Sequence, residues 1–171
     1  MGIFCVGETM NKIMVIGCPG SGKSTFARTL HEITGIPLVH MDMLFWNADR
    51  TIVEKTVFME RLENVIEENA WIIDGDYHST MEMRLQACDT IFFLDYPLDV
   101  CLKGIEERRG TVRTDMPWVE LEEDLEFVQF IKNYNVHNRP KVMALLEKYH
   151  HKDIFIFKSR AEAGEFLKYI Q

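Results

Sequence analysis

Five short, nearly continuous apolar runs recur along the chain: Lys12 to Ile16, Pro37 to His40, Trp71 to Asp74, Thr90 to Asp95 and Asp153 to Phe157. Each is too short for a helix and lacks polar alternation, as expected of parallel strands covered on both faces. Between them the apolar period changes. Phe58, Leu62, Val65 and Ile66 form one helical stripe, and Leu98, Cys101, Leu102 and Ile105 a second. Val142, Leu145, Leu146 and Tyr149 form a third. A last helix opens at Ser159-Arg160-Ala161-Glu162, a capping-box pattern, and turns Phe166, Leu167 and Ile170 inward. This alternation predicts an α/β fold, a parallel sheet with helices on both faces, and a single domain over residues 1–171. Ligands in such sheets gather at the carboxyl ends of the strands.

The first of those ends carries the most specific motif. Residues 17 to 24 read GCPGSGKS, the pattern G-x-x-x-x-G-K-[ST], between an apolar run and the helix-prone Thr25 to Leu30. Gly17, Gly20 and Gly22 can take backbone angles that a Cβ opposes, so successive N–H groups can curl round a phosphate. Pro19, Ser21 and Thr25 complete the stretch, and the following helix adds the positive end of its dipole. Lys23 can then reach the β- and γ-phosphates of ATP, and Ser24 can offer its hydroxyl to Mg²⁺. The motif predicts a site for a nucleoside triphosphate.

Composition narrows the setting. The 171 residues suffice for one core, and 47% hydrophobic with 27% charged content is that of an ordinary soluble globule. No apolar run approaches the roughly 18 residues of a membrane span. Met1 to Gly7 lacks the basic start of a signal peptide. Met10 directly precedes the first strand, which marks residues 1–9 as a candidate extension or a misplaced start. The cysteines, Cys5, Cys18, Cys88 and Cys101, form no C-x-x-C pair, so reduced thiols and a cytoplasmic location are expected rather than zinc. The net charge of −8 argues against a nucleic-acid partner, since backbone tracking needs a dense basic surface. The one basic cluster is Lys103, Arg108, Arg109 and Arg113.

The other strand ends are acidic: His40-Met41-Asp42, Asp74-Gly75-Asp76 and Asp95-Tyr96-Pro97. Asp74 and Asp95 each fit the acidic end of a Mg²⁺-supporting strand, and neither is followed by Glu. That lack of a water-activating carboxylate leans towards transfer to an acceptor. Asp95, ahead of Pro97 and a helix, reads better as a turn or cap residue. Asp74 reads as the metal-side residue, and Asp42 as facing an acceptor or metal.

The order GCPGSGKST, HMDMLFW, WIIDGDY, IFFLDYP and IEERRG resembles the nucleoside-monophosphate-kinase-like branch of P-loop kinases. It is most similar to small adenylate-kinase-related proteins labelled "DNA topology modulation protein". The likeness runs from about Met10 to the C-terminus. It implies a three-layer α/β/α P-loop fold with a five-stranded parallel sheet and a short lid, roughly residues 110–118. It also implies that Asp74 holds Mg²⁺ and that Arg108 and Arg109 stand at the base of the lid, with Arg113 within it. Such guanidiniums suit a transferred phosphoryl group, whose charge spreads over its oxygens; the plain alternative for Arg108 and Arg109 is a favourable helix C-terminus. Arg139 is either a further lid-side arginine or a surface residue at a helix start.

The acceptor end stays open between two chemistries. A hydroxyl acceptor would use Asp42, placed as in shikimate- and gluconate-type kinases, to orient or deprotonate the attacking oxygen. A phosphate acceptor would instead need cations, for which Arg50, Arg84 and His78 are the candidates. Arg84 in a structural ion pair is the plain alternative. Adenylate kinases continue the third-strand aspartate as DGFPR; here Asp74-Gly75-Asp76-Tyr77-His78 removes that clamp and puts AMP in doubt. Phe45, Trp46 and Tyr77 either stack on a ring of the acceptor or belong to the core. A nucleotide-dependent regulatory or DNA-associated role with little turnover is the second hypothesis.

Overall fold

The computed structural model describes residues 10–171; the expected extension at residues 1–9 lies outside them. Strands β1 (Lys12–Gly17), β2 (Leu38–His40), β3 (Trp71–Asp74), β4 (Thr90–Leu94) and β5 (Asp153–Phe157) form one parallel sheet in the order β2-β3-β1-β4-β5. All five predicted strands are present, with ends within a residue of expectation. The central strands are buried throughout from Ile13 onward in β1 and along all of β3 and β4, as their unbroken apolar sequences require. β5 is an edge strand, and there the expectation of two covered faces fails: Ile156 is exposed.

Helices α1 (Lys23–Thr34), α3 (Lys55–Glu67), α5 (Leu98–Arg108), α7 (Arg139–Lys148) and α8 (Arg160–Tyr169) match the sequence pattern. Three more, α2 (Met41–Phe45), α4 (His78–Ala87) and α6 (Leu125–His137), lacked a clear stripe. Two clusters cover the faces of the sheet. Phe92 stacks on Phe155 and Phe157 on one face, with Phe26 and Phe166 tilted against them. On the other face Met14, Ile16, Ile73 and Phe93 meet Met41, Leu62, Met81 and Leu146. The capping box at α8 forms with a shift: Ser159 Oγ accepts from the Glu162 N–H, while Glu162 Oε2 accepts from the Lys158 N–H rather than from Ser159.

Asp95 has a structural role of its own. Arg139 donates two hydrogen bonds of 2.8 Å to its two oxygens, and Lys158 pairs with it as well. It thereby ties the end of β4 to the start of α7 and the end of β5. The metal-side candidacy of Asp95 and the lid-side candidacy of Arg139 both give way to this anchor. Cys18, Cys88 and Cys101 are free and buried, and among the described residues no helix is long and apolar enough to cross a membrane.

Burial works against ionisation of Asp95, but Arg139 and Lys158 outweigh it and hold the carboxyl below its ordinary range. A lowered native pKa stabilises the fold above the unfolded value and loses that effect as pH falls through the native one. Because both cations remain partly exposed, Asp95→Asn should lower unfolding free energy by about 2 kcal/mol at pH 7. Chemical denaturation should show the difference closing below about pH 4.

Candidate active site

The loop between β1 and α1 is curled as its glycines allow, with Gly20 at φ 83° and Gly22 at φ 95°. Its curl depends on a second glycine from α5. A Cβ on Gly20 would lie 2.0 Å from the Cys101 carbonyl oxygen, and one on Gly104 would lie 2.0 Å from that of Gly20. Loop and helix therefore touch backbone to backbone. From the opposite side Asp76 fixes the loop's entry: Oδ1 accepts from the Gly17 N–H at 2.7 Å, and Oδ2 from the Tyr134 hydroxyl at 2.6 Å.

The loop fits a phosphate on its own chemistry. Helix α1 begins at Gly22 with no side-chain cap and no acidic residue in its first turn, so its leading N–H groups are left to an anion. Ser21 is buried with its Oγ unpartnered. Lys23 arches over the loop, donating to Gly17 O at 2.7 Å and Cys18 O at 3.2 Å. Thr25 Oγ1 accepts from Arg28.

These groups open on a cleft of about 1650 Å³. It is lined by Pro19 to Thr25 of the loop together with Asp42, Asp74, Arg108, Arg109 and Arg113, so the sequence candidates converge there. Asp74 ends β3 beside His40 of β2, its partner in the parallel register, and the His40 Nδ1–H donates to Asp74 Oδ1 at 2.8 Å. Burial opposes charge on His40, but the bond and charge of Asp74 prevail and raise its pKa. Asp42 accepts from the Tyr77 hydroxyl. Burial pushes its carboxyl above the ordinary range, against the Tyr77 bond and the Lys23 charge.

The irregular segment from Arg109 to Asp124 closes the cleft and is longer than the predicted 110–118. Glu120 pairs with Arg108 at 2.9 Å, and Glu123 with Arg109 at 3.6 Å. Arg113 lies 3.7 Å from Asp115 and 3.8 Å from Glu120. Asp115, which sequence reasoning missed, accepts from Ser24 Oγ at 2.8 Å. Nothing in the sequence separates it from the neighbouring acidic residues of the same segment. Trp118 meets Trp46 edge-on, with ring centres 5.7 Å apart, and the Arg50 guanidinium stacks over Trp118.

Among the described residues, the two non-glycine residues with positive φ are Arg50 and Tyr77, and both line the cleft. Strain of this kind gathers at functional sites. Phe45 is edge-on to Trp46 and packs on Tyr77, so these rings form a wall of the cleft and not only core. Arg84, by contrast, is fully buried under the loop after β3. It donates to the carbonyls of Gly75, Asp76 and Tyr77, so it serves neither an acceptor phosphate nor an ion pair. Among the described residues no group of three or more His, Cys, Asp or Glu side chains is arranged to hold a metal alone. Mg²⁺ needs no such group, since it keeps waters and takes nucleotide oxygens beside one or two protein ligands.

Comparisons with known proteins bear on the fold around this site. No model of a known protein family matches the chain. It is similar to the adenylate kinase of Thermotoga petrophila, 32% identical over 96 residues that cover 53% of this chain and 42% of that one. The adenylate kinase of Thermosipho africanus is 28% identical over 134 residues, 74% of this chain and 60% of the relative. The chain thus spans less than two thirds of the length of these relatives. In fold it is similar to shikimate kinase from Acinetobacter baumannii, solved in complex with shikimate, with TM-score 0.62, 16% identity, and coverage of 95% and 92% of the two chains. A shikimate kinase from Bacteroides thetaiotaomicron gives TM-score 0.55 at 19% identity, over 95% and 97%. The fold is the three-layer P-loop fold with a five-stranded parallel sheet.

Two substitutions test the frame of the site. Gly to Ala in a helix ordinarily stabilises by about 1 kcal/mol, yet Gly104→Ala should destabilise by about 2 kcal/mol or more through overpacking against Gly20. Thermal unfolding will show the sign. Arg84→Met leaves three carbonyls without their donor and should cost about 3 kcal/mol by the same measurement.

Proposed function

We propose that this chain is a small-molecule kinase that moves the γ-phosphoryl group of MgATP to a hydroxyl of its acceptor. The observation that carries the choice is Asp42: a half-buried carboxylate, bonded to Tyr77 and close enough to Lys23 to feel its charge. A phosphate acceptor would meet repulsion there, whereas a hydroxyl would meet a base. Of the three cations considered for a phosphate, Arg84 is committed to backbone carbonyls, while Arg50, stacked on Trp118, and His78 line the cleft.

In this reading the loop N–H groups and Lys23 hold the β- and γ-phosphates. Ser24 and Asp74 are the residues that would hold Mg²⁺, directly or through water. When bound, the ion neutralises charge on the phosphates. Arg108 and Arg113 stabilise the charge of the transferring group, with Arg109 at the rim. Asp42 orients the acceptor hydroxyl and takes its proton. Its raised pKa makes it a better base near neutral pH than an ordinary carboxylate. The segment from Arg109 to Asp124 acts as the lid, excluding water so that the acceptor wins over hydrolysis. A cleft this large has room for nucleotide and acceptor side by side.

ADP formation from MgATP should be measured with nucleosides, nucleoside monophosphates, and hydroxylated acids and sugars. One hydroxyl acceptor should stimulate it, and Lys23→Ala should abolish the stimulation. Asp42→Asn should lower kcat by about 10²- to 10⁴-fold with ATP affinity little changed. Wild-type kcat/KM should rise with pH on its acid side, with a midpoint above the ordinary Asp range, because the base must be deprotonated. Asp74→Asn should lose turnover while ATP affinity falls modestly. Stimulation by a monophosphate with Asp42→Asn unimpaired would replace the hydroxyl acceptor by a phosphate. Tight ATP binding without acceptor-dependent turnover would favour the regulatory role attached to the "DNA topology modulation protein" resemblance, against which the net charge of −8 weighs.

A further inference from the structure

The lid reaches the phosphate loop through a single carboxylate. Asp115 is 5% exposed and accepts a 2.8 Å hydrogen bond from Ser24 Oγ. Arg28 Nη1 lies 3.7 Å from its Oδ1, and Arg113 Nη1 lies 3.7 Å from its Oδ2. A hydroxyl donor between two guanidiniums is the chemistry that recognises an anionic oxygen of a phosphate. Ser24 has one hydroxyl proton and Asp115 takes it; the lone pairs of Ser24 stay open to Mg²⁺, but a phosphate oxygen approaching without the metal competes with Asp115 for that proton and for Arg28 and Arg113.

We infer that Asp115 is a built-in competitor of the nucleotide, a latch that holds the lid on the loop until a triphosphate displaces it. The inference rests on the reading of the loop as a nucleotide site. The rest of the lid carries the latch to the acceptor wall. The Gly110 N–H donates to Glu120 O at 2.7 Å, Glu120 pairs with Arg108, and Arg50 Nη2 donates to Val119 O at 3.1 Å. Trp118 rests on Trp46. Displacing Asp115 therefore frees the middle of a segment that Arg108 and Arg109 hold near its roots and that Arg50 and Trp46 hold on the acceptor side. Nucleotide entry would then loosen the wall against which the acceptor must fit, an order of binding set by one side chain.

A latch lowers apparent affinity by the fraction of molecules it keeps closed. Asp115→Asn preserves shape but removes the charge that Arg28 and Arg113 hold, and it weakens the Ser24 bond to a neutral one. Calorimetric titration with ATP in EDTA isolates this effect from any metal contribution. The variant should bind ATP about tenfold more tightly than wild type, a difference of about 1.4 kcal/mol. Equal or weaker binding by the variant, with wild-type binding that Lys23→Ala abolishes, would overturn the latch while leaving the nucleotide site intact. ATP binding by neither form would defeat the nucleotide reading and the latch with it. Wild-type protein alone supplies the second measurement. Its observed rate of binding a fluorescent ATP analogue should level off at high concentration, at the rate of latch release. A rate that stays linear in concentration would overturn the proposal even if Asp115→Asn failed to fold.

Discussion

The phosphate loop can curl only because two backbones are allowed to touch. Gly20 and Gly104 have no Cβ at the crossing of loop and α5, where either would stand 2.0 Å from a carbonyl oxygen. That contact fixes the height of the loop above the sheet. Asp76 fixes its entry from β1, by way of the Gly17 N–H, and Arg84 in turn fixes the strand-end turn that presents Asp76. The cleft, its lysine and its serine all inherit their positions from this frame. Since a backbone approach of this kind tolerates no side chain, the frame is rigid where many loops are not.

Asp42 and Asp74 illustrate how neighbouring carboxylates are given different characters. Asp74 lies beside His40, whose charged form it supports through a 2.8 Å hydrogen bond. Asp42 lies among rings, with a phenol hydrogen bond and the charges of Lys23 and Arg108 to support its anion. Burial is the largest influence there and pushes the carboxyl above its ordinary range. Divergent environments for paired acids are a common way to divide roles within one site.

The strands and the loop were legible because their signals are local. A run of buried β-branched and aromatic residues needs no partner to be recognised, and G-x-x-x-x-G-K-[ST] states its own chemistry. Helix α4 was not legible, because it buries Thr80 and Arg84 beside Met81 and Leu85, and polar residues turned inward erase the stripe. Helix α6 leaves Phe130 and Val136 exposed, which blurs the pattern in the opposite direction. The site divided in the same way. Lys23, Ser24, Asp42 and Asp74 were expected at the cleft from motif and strand end, and Arg108, Arg109 and Arg113 from the resemblance; all of them line it. Asp76, Asp115 and Trp118 act through partners 58, 91 and 72 positions away in the chain, distances that no spacing rule covers. Arg84 and Asp95 were left between chemistry and structure for a related reason: the groups that decide it, backbone carbonyls for Arg84 and Arg139 with Lys158 for Asp95, are not written beside them in the sequence.

The bridge from Tyr134 through Asp76 to Gly17 has a mechanical meaning. Helix α6 follows the lid and α5 precedes it, and each is fastened to the phosphate loop, one by this bridge and the other by the Gly20–Gly104 crossing. A flap hinged at both roots on the part it covers can swing, but it cannot slide or drift. Between those roots the flap leans on Trp46 and Arg50 through Trp118 and Val119. Length and composition can therefore vary along the flap, away from Arg113 and Asp115, without moving either root.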